Sequence, residues 1–246
     1  VKVMDNLRQT LVRDKRLFAT LNDNAQTDEQ AGNRIAKDRN NALQETSAEA
    51  IALLKALGCP CVMGNHDSFL LKPDLIHGYT DVSRVIDAVS WCRSRLAKTD
   101  FDYVRSFAPT VEIPLGDEST LLCFHGTPES NTGVVLATTP PTNLDSMLAG
   151  YTAIVMAGGH THIQMLRQHK GTLIVNAGSV GIPFKQAPFK DQPHILPWAE
   201  YAILNWTPDI LNVDLRRVSI DLEAVHQAAL NSDIPWCDDK CGLRHR

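Results

Sequence analysis

The sequence predicts an α/β fold in which two packed β-sheets are flanked by helices, and three observations carry that prediction. Short apolar runs, "TLLCF" (120–124), "YTAIVMA" (151–157) and "TLIVNA" (172–177), have the length and β-branched content of buried strands. Stretches with helical periodicity precede them, and the alternating run "ILNVDLRRVSI" (210–220) follows, with Leu211, Val213 and Leu215 on one face. At 246 residues, 43% hydrophobic and 21% charged, the chain is long and apolar enough to bury a sizeable core.

In chain order, residues 1–45 are rich in Asn, Asp, Gln and Arg and hold no convincing strand, so they form an atypical segment, helical or disordered. A helix is expected over 46–57. Thr46 and Glu49 make a capping box, Ala50, Leu53, Leu54 and Leu57 share one face, and Gly58 supplies the stop. The apolar run "CPCVM" (59–63) reads as a strand ending in the turn "GNHD" (64–67). Residues 80–98 carry helical spacing through Val82, Val85, Ile86, Val89 and Trp91. From 110 onward short strands follow at 110–115, 120–124, 151–157, 172–177, 201–206 and 210–220, and "DLEAVHQAAL" (221–230) closes as a helix.

Net charge is −4 with no block of Lys or Arg, which leaves no electrostatic footprint for nucleic acid or an anionic membrane. The longest apolar stretch, 151–159, is too short to span a bilayer, and the opening residues lack the apolar core of a secretory signal. The expectation is a cytoplasmic protein with reduced thiols, since Cys59, Cys61 and Cys123 sit in apolar runs as small hydrophobes. Cys237 and Cys241 with His245 match no standard zinc spacing and read as a polar terminus.

Four strand ends carry unusual polar groups: Asn65, His66 and Asp67; His125 with Gly126; His160 and His162 after Gly158-Gly159; and Asn176, Gly178, Ser179 and Gly181. Each group alone has a plain structural reading as a turn or a hydrogen-bonded surface residue. Together they place imidazoles, carboxamides and glycines where ligands bind in open α/β sheets, outside the carboxyl ends of strands. Neutral imidazole is a common metal ligand, and glycine lets backbone approach an ion or oxyanion closely. Residues 68–110, with Trp91, Phe101 and Tyr103, are expected to form a helical cap over the mouth and to set the substrate. They carry no base- or sugar-specific signature.

The ordered set "GNHD", "HG", "GGHTH" and "NAGSVG" resembles the calcineurin-like metallophosphoesterase superfamily, nearest its small bacterial phosphodiesterase-like members, over about residues 46 to 246. The resemblance implies a four-layer α-β-β-α sandwich and hydrolysis of a small phosphomonoester or phosphodiester by metal-bound hydroxide, with two divalent ions drawn from Mn, Fe, Zn or Ni. By resemblance, Asn65, His125 and His160 are ligands of one ion and His162 of the other. His66 lies beside the leaving oxygen and Asp67 orients its ring. Gly64, Gly126, Gly159, Gly178 and Ser179 form turns on the phosphate side.

The superfamily's early Asp-x-His and Gly-Asp motifs are absent, because no histidine precedes His66 and no Gly-Asp precedes residue 64. Asp38 in "KDRNN" is the candidate bridging carboxylate. Two +2 ions about 3.7 Å apart repel by about 18 kcal/mol at an effective dielectric near 20, and neutral ligands do not offset that repulsion. At most one ion is therefore the expectation from Asn65, His125, His160 and His162, and a second needs carboxylates from the first 45 residues or from another chain. The missing strands and a first residue of Val favour a beginning that has been replaced or misread over a natural variant. The expected alternative to an active enzyme is a degenerate phosphoesterase that binds metal or phosphate without catalysis.

Overall fold

A computed structural model describes residues 47–116, 118–186, 196–207, 209–221 and 223. Asp38, the capping Thr46, segment 1–45, the 221–230 helix, and Cys237, Cys241 and His245 lie outside the described residues.

Among the described residues four helices come first: α1 (Ser47–Leu57), α2 (Asn65–Leu71), α3 (Ser83–Ser94) and α4 (Lys98–Arg105), with a 3₁₀ turn (Pro73–Gly78) between α2 and α3. Their shared core contains Ile51, Leu54, Phe69, Leu70, Ile76, Val89, Val104 and Phe107. The buried stripe of α1 runs through Ile51 and Leu54, one turn apart, while Leu57 is 40% exposed. This corrects the expected face, which had placed Leu57 inside; the helix docks by its middle and leaves its last turn outside. Helix α3 is shorter than the expected 80–98, because Val82 adopts extended backbone as its N-cap.

The strands are β1 (Thr110–Gly116), β2 (Ser119–Phe124), β3 (Val155–Gly158), β4 (Met165–His169), β5 (Thr172–Asn176), β6 (Trp198–Thr207) and β7 (Ile210–Ser219), with helix α5 (Pro141–Met147) between β2 and β3. Five strands form one sheet in the order β1-β2-β3-β5-β4, and β6 and β7 form a second sheet. Side-chain alternation explains the layering. Leu121, Cys123, Val155, Ala157 and Val175 face Ala202, Leu204, Leu211, Val213 and Leu215 of the β6–β7 pair. On the opposite face Leu122, Phe124, Met156 and Ile174 pack with Leu144 of α5 and with Leu148. The expected α/β architecture of packed sheets flanked by helices is the one observed.

Two local expectations fail. "CPCVM" is not a full strand: Val62 makes a single parallel bridge to Ala108, with Met63 N–H donating to Ala108 O at 2.7 Å. The pairing stops there because Gly64 already caps α2 on one side and Ser106 caps the end of α4 on the other. Strand β4 was not expected, because an edge strand reading "MLRQH" carries little apolar signal. Its partner β5 is reached through Lys170 and Gly171, whose φ angles of 46° and 85° are those of a two-residue hairpin turn.

The placement that matters is parallel. Strands β2, β3 and β5 run in one direction, with Cys123 opposite Ala157 and Gly158 opposite Asn176. Their carboxyl ends therefore share one edge, and the residues just past them, His125, His160 and Asn176–Ser179, converge there.

Candidate functional site

Asn65, His66 and Asp67 are not in an open turn but in the first turn of α2. Gly64 is the N-cap, and Asp67 Oδ2 accepts its N–H at 2.9 Å. That bond is the one half of a capping box that a glycine N-cap allows, and through it the carboxylate fixes the loop that presents Asn65. Asn131 Nδ2 braces the same loop from outside, donating to Gly64 O at 3.3 Å and to Ser68 Oγ at 2.7 Å. His66 stands next in the helix with its ring edge-on to Phe69, centroids 5.4 Å apart.

Asn65 Oδ1 lies 3.0 Å from His125 Nε2. Both residues are buried, Asn65 at 2% and His125 at 7% exposure. Two alternative arrangements share that distance. It is a hydrogen bond when Nε2 carries a proton. It is also close to the ~3.0 Å edge between two donors set at right angles about 2.1 Å from one cation. Asn65 Nδ2, buried too, makes no hydrogen bond of ordinary geometry among the described residues, and the Tyr79 hydroxyl is the group its carboxamide acts on.

The His160 ring packs against His125 at 5.2 Å between centroids. Backbone ties set that approach: Gly159 N–H donates to His125 O at 2.7 Å. Across His160 itself, Thr161 N–H donates to Gly159 O at 2.7 Å, a three-residue turn centred on a φ of 66°. This is the rarer, strained hand of γ-turn, and a non-glycine residue held there costs on the order of 1–3 kcal/mol. His162 has a φ of 59° as well. Its Nδ1 lies 2.8 Å from Ile182 O, and a carbonyl only accepts, so Nδ1 carries the proton and Nε2 keeps its lone pair. Phe184 stacks on the His162 ring at 4.9 Å.

The glycine turns have steric reasons. A Cβ on Gly126 would stand 2.5 Å from Gly133 O, and one on Gly178, at a φ of 83°, would stand 2.1 Å from Glu200 Oε2. Ser179 Oγ accepts Ile182 N–H at 3.0 Å, which ties this loop to the segment facing His162.

One residue at the site escaped sequence reasoning. Tyr79 lies edge-on to His160 at 6.0 Å and against Phe69 at 5.4 Å. Burial pushes its phenol above the ordinary value and the Asn65 carboxamide partly opposes the rise, so the hydroxyl stays protonated at neutral pH. A lone Tyr in "HGYTD" offers no local signal. Of the aromatics named from sequence, Trp91 carries Arg95 stacked on its ring, Phe101 carries Arg93, and Tyr103 packs against Phe107. His169 lies with Nε2 2.9 Å from Asp145 Oδ1.

The donors fit part of the shell of one cation: a carboxamide oxygen and an imidazole nitrogen at coordination spacing, with a second imidazole alongside. They do not fit a pair of ions. Among the described residues no group of three or more His, Cys, Asp or Glu side chains is arranged to hold a metal. No helix among them is long and apolar enough to cross a membrane.

No curated protein matches the chain. Among solved structures it is similar to a hypothetical protein from Pyrococcus horikoshii OT3, with a TM-score of 0.63 at 14% identity, covering 77% of this chain and 76% of that one. It is also similar to a metallophosphoesterase from Sphaerobacter thermophilus, with a TM-score of 0.55 at 20% identity, covering 76% of this chain and 77% of that one. Both likenesses concern the fold. The model of the calcineurin-like phosphoesterase superfamily domain matches residues 38–193, and the chain belongs to that superfamily.

Proposed function

We propose that the chain hydrolyses a small phosphate ester, a phosphodiester or phosphomonoester, at the edge where Asn65, His66, His125, His160 and His162 meet. The observation that carries this reading is the 3.0 Å approach of Asn65 Oδ1 to His125 Nε2 with the His160 ring beside it. A bound divalent cation, with Mn²⁺ the first choice, would supply charge neutralisation and a water of lowered pKa. Asn65, His125 and His160 would hold it, and Asp38 is the carboxylate proposed to complete a second position.

The chain's own groups supply the rest. His66, half-buried at the head of α2, donates a proton to the departing alkoxide, a step worth roughly 10²–10⁴-fold. Asp67 holds the loop that carries it. Tyr79, 42% exposed beside His160, offers its hydroxyl and ring face to the leaving group. Cys59, Cys61, Cys92 and Cys123 form no disulfide among the described residues, and a cytoplasmic setting is the one proposed.

The test is hydrolysis of a bis-aryl phosphodiester with added Mn²⁺, alongside metal content per chain. His66→Ala should lower kcat by roughly 10²–10⁴-fold; activity unchanged by that substitution would remove His66 from the reaction. A second reading, a binding module without catalysis, is favoured by the absence of a carboxylate-containing metal cluster among the described residues. Stoichiometric metal uptake with no turnover on any aryl phosphate ester would select it.

A further inference from the structure

We propose that Asn176 is a positioning residue. Its carboxamide clamps the strained turn that aims His160 at His125, and so decides whether the site can take up a cation. In its cation-binding consequence, this rests on the function proposed above.

Asn176 is the last residue of β5, directly opposite Gly158 in the parallel register, and it is 2% exposed. Its Nδ2 donates to Gly159 O at 2.8 Å and to Thr161 Oγ1 at 3.0 Å, the residues on either side of His160. Its Oδ1 accepts Gly178 N–H at 2.9 Å. The amide orientation is over-determined, since turning it round would set NH₂ against an N–H donor and oxygen against a carbonyl. All three bonds are buried, where an unmet partner is costly.

A β5 side chain thus grips both ends of a turn that the local sequence disfavours. The left-handed backbone at His160 has no glycine to relieve it. Without the clamp, rotation of φ to its common negative range relaxes the turn, and that rotation swings the imidazole away from His125. Asn176 touches no reacting atom in this scheme. It acts through His160, as residues behind a ligand commonly do, and such residues change metal affinity about 10–100-fold.

The experiment uses the full chain with Asn176→Asp, Asn176→Ala and Thr161→Val. Asn176→Asp keeps the shape and the acceptor for Gly178 N–H but removes both donors. In the metal-free protein, the one-bond Cα–Hα coupling of His160 reports the sign of φ by NMR. It should show positive φ in the wild type and lose that signature in both Asn176 variants, with a partial change in Thr161→Val. Titration with Co²⁺ alone should show binding weakened about 10–100-fold in Asn176→Ala, with little further loss when His160→Ala is combined with it.

Positive φ retained at His160 in folded Asn176→Asp and Asn176→Ala overturns the proposal, as does unaltered Co²⁺ affinity. A wild type that takes up no Co²⁺ removes the cation reading, while the NMR comparison still decides the clamp. Should the Asn176 variants not fold, Thr161→Val decides instead, and an unchanged His160 coupling there counts against the clamp.

Discussion

On the helical side of the site, Asn65 and His66 stand in the first turn of α2, where ordinary helical backbone presents them and the Asp67 cap is three residues from its target. On the sheet side, His160 and His162 stand at φ angles of 66° and 59°, and the carboxamide bonded on either side of His160 comes from the end of β5, a whole hairpin later in the chain. The helical support is local and largely self-sufficient. The sheet support depends on parallel register between β3 and β5 and on groups packed behind it. Damage to the sheet side should therefore reach the site, whereas damage to the helical core should mainly cost stability.

The largest expected effect is Gly178→Ala. The added Cβ meets Glu200 Oε2 at 2.1 Å in a backbone with a φ of 83°, so overpacking and strain add to about 3–5 kcal/mol in urea unfolding. A cost below about 1 kcal/mol would show that the loop yields freely and is no support. Next comes Leu54→Ala in the helical core, where complete burial predicts a loss of about 2–4 kcal/mol. Here Co²⁺ affinity should stay near the wild-type value, and a tenfold fall would erase the distinction between the two sides.

Smaller effects separate the sides by pH. Burial raises the Glu200 carboxyl above its ordinary value, against the opposing pull of Trp198, Arg217 and the Ser179 backbone. In the window between its unfolded and its raised folded pKa, the folded state holds more protons, so stability falls as pH rises. Thermal melts of Glu200→Gln should lack that downward slope; a parallel profile would mean Arg217, at 3.2 Å, already compensates the charge. The smallest effect belongs to the helical side. Lys55, 2.9 Å from Asp100, is the first cause of that carboxyl's lowered pKa. Lys55→Met should cost at most about 1 kcal/mol at neutral pH, since Lys55 is partly exposed. The difference should vanish as pH falls through the depressed pKa of Asp100 and the carboxylate protonates. An undiminished difference at low pH would assign the cost to packing of the lysine stem.

Legibility followed the same division. The central strands were readable because each is a continuous apolar run buried on both faces, and the site histidines because each follows such a run directly. Asn65 was readable as a member of the strand-end cluster, yet its neighbour Asp67 turned out to cap a helix that the motif had suggested was an open turn. Strand β4 and Tyr79 were not readable: one is polar at a sheet edge, the other a single aromatic in a loop. Asn176 was visible at a strand end, but its task depends on what lies across the register from it.

By itself the sequence determined the composition of the site: which residue types stand at which strand ends, that Asn65, His125, His160 and His162 bring no carboxylate there, and which superfamily orders its motifs this way. Those are properties of runs and spacings along the chain. Only the tertiary structure decided that β2, β3 and β5 point one way, that His160 sits in a strained turn, and that a carboxamide from β5 holds it there. Such contacts join segments through sheet register and burial, and no local pattern of side chains encodes the register between two strands.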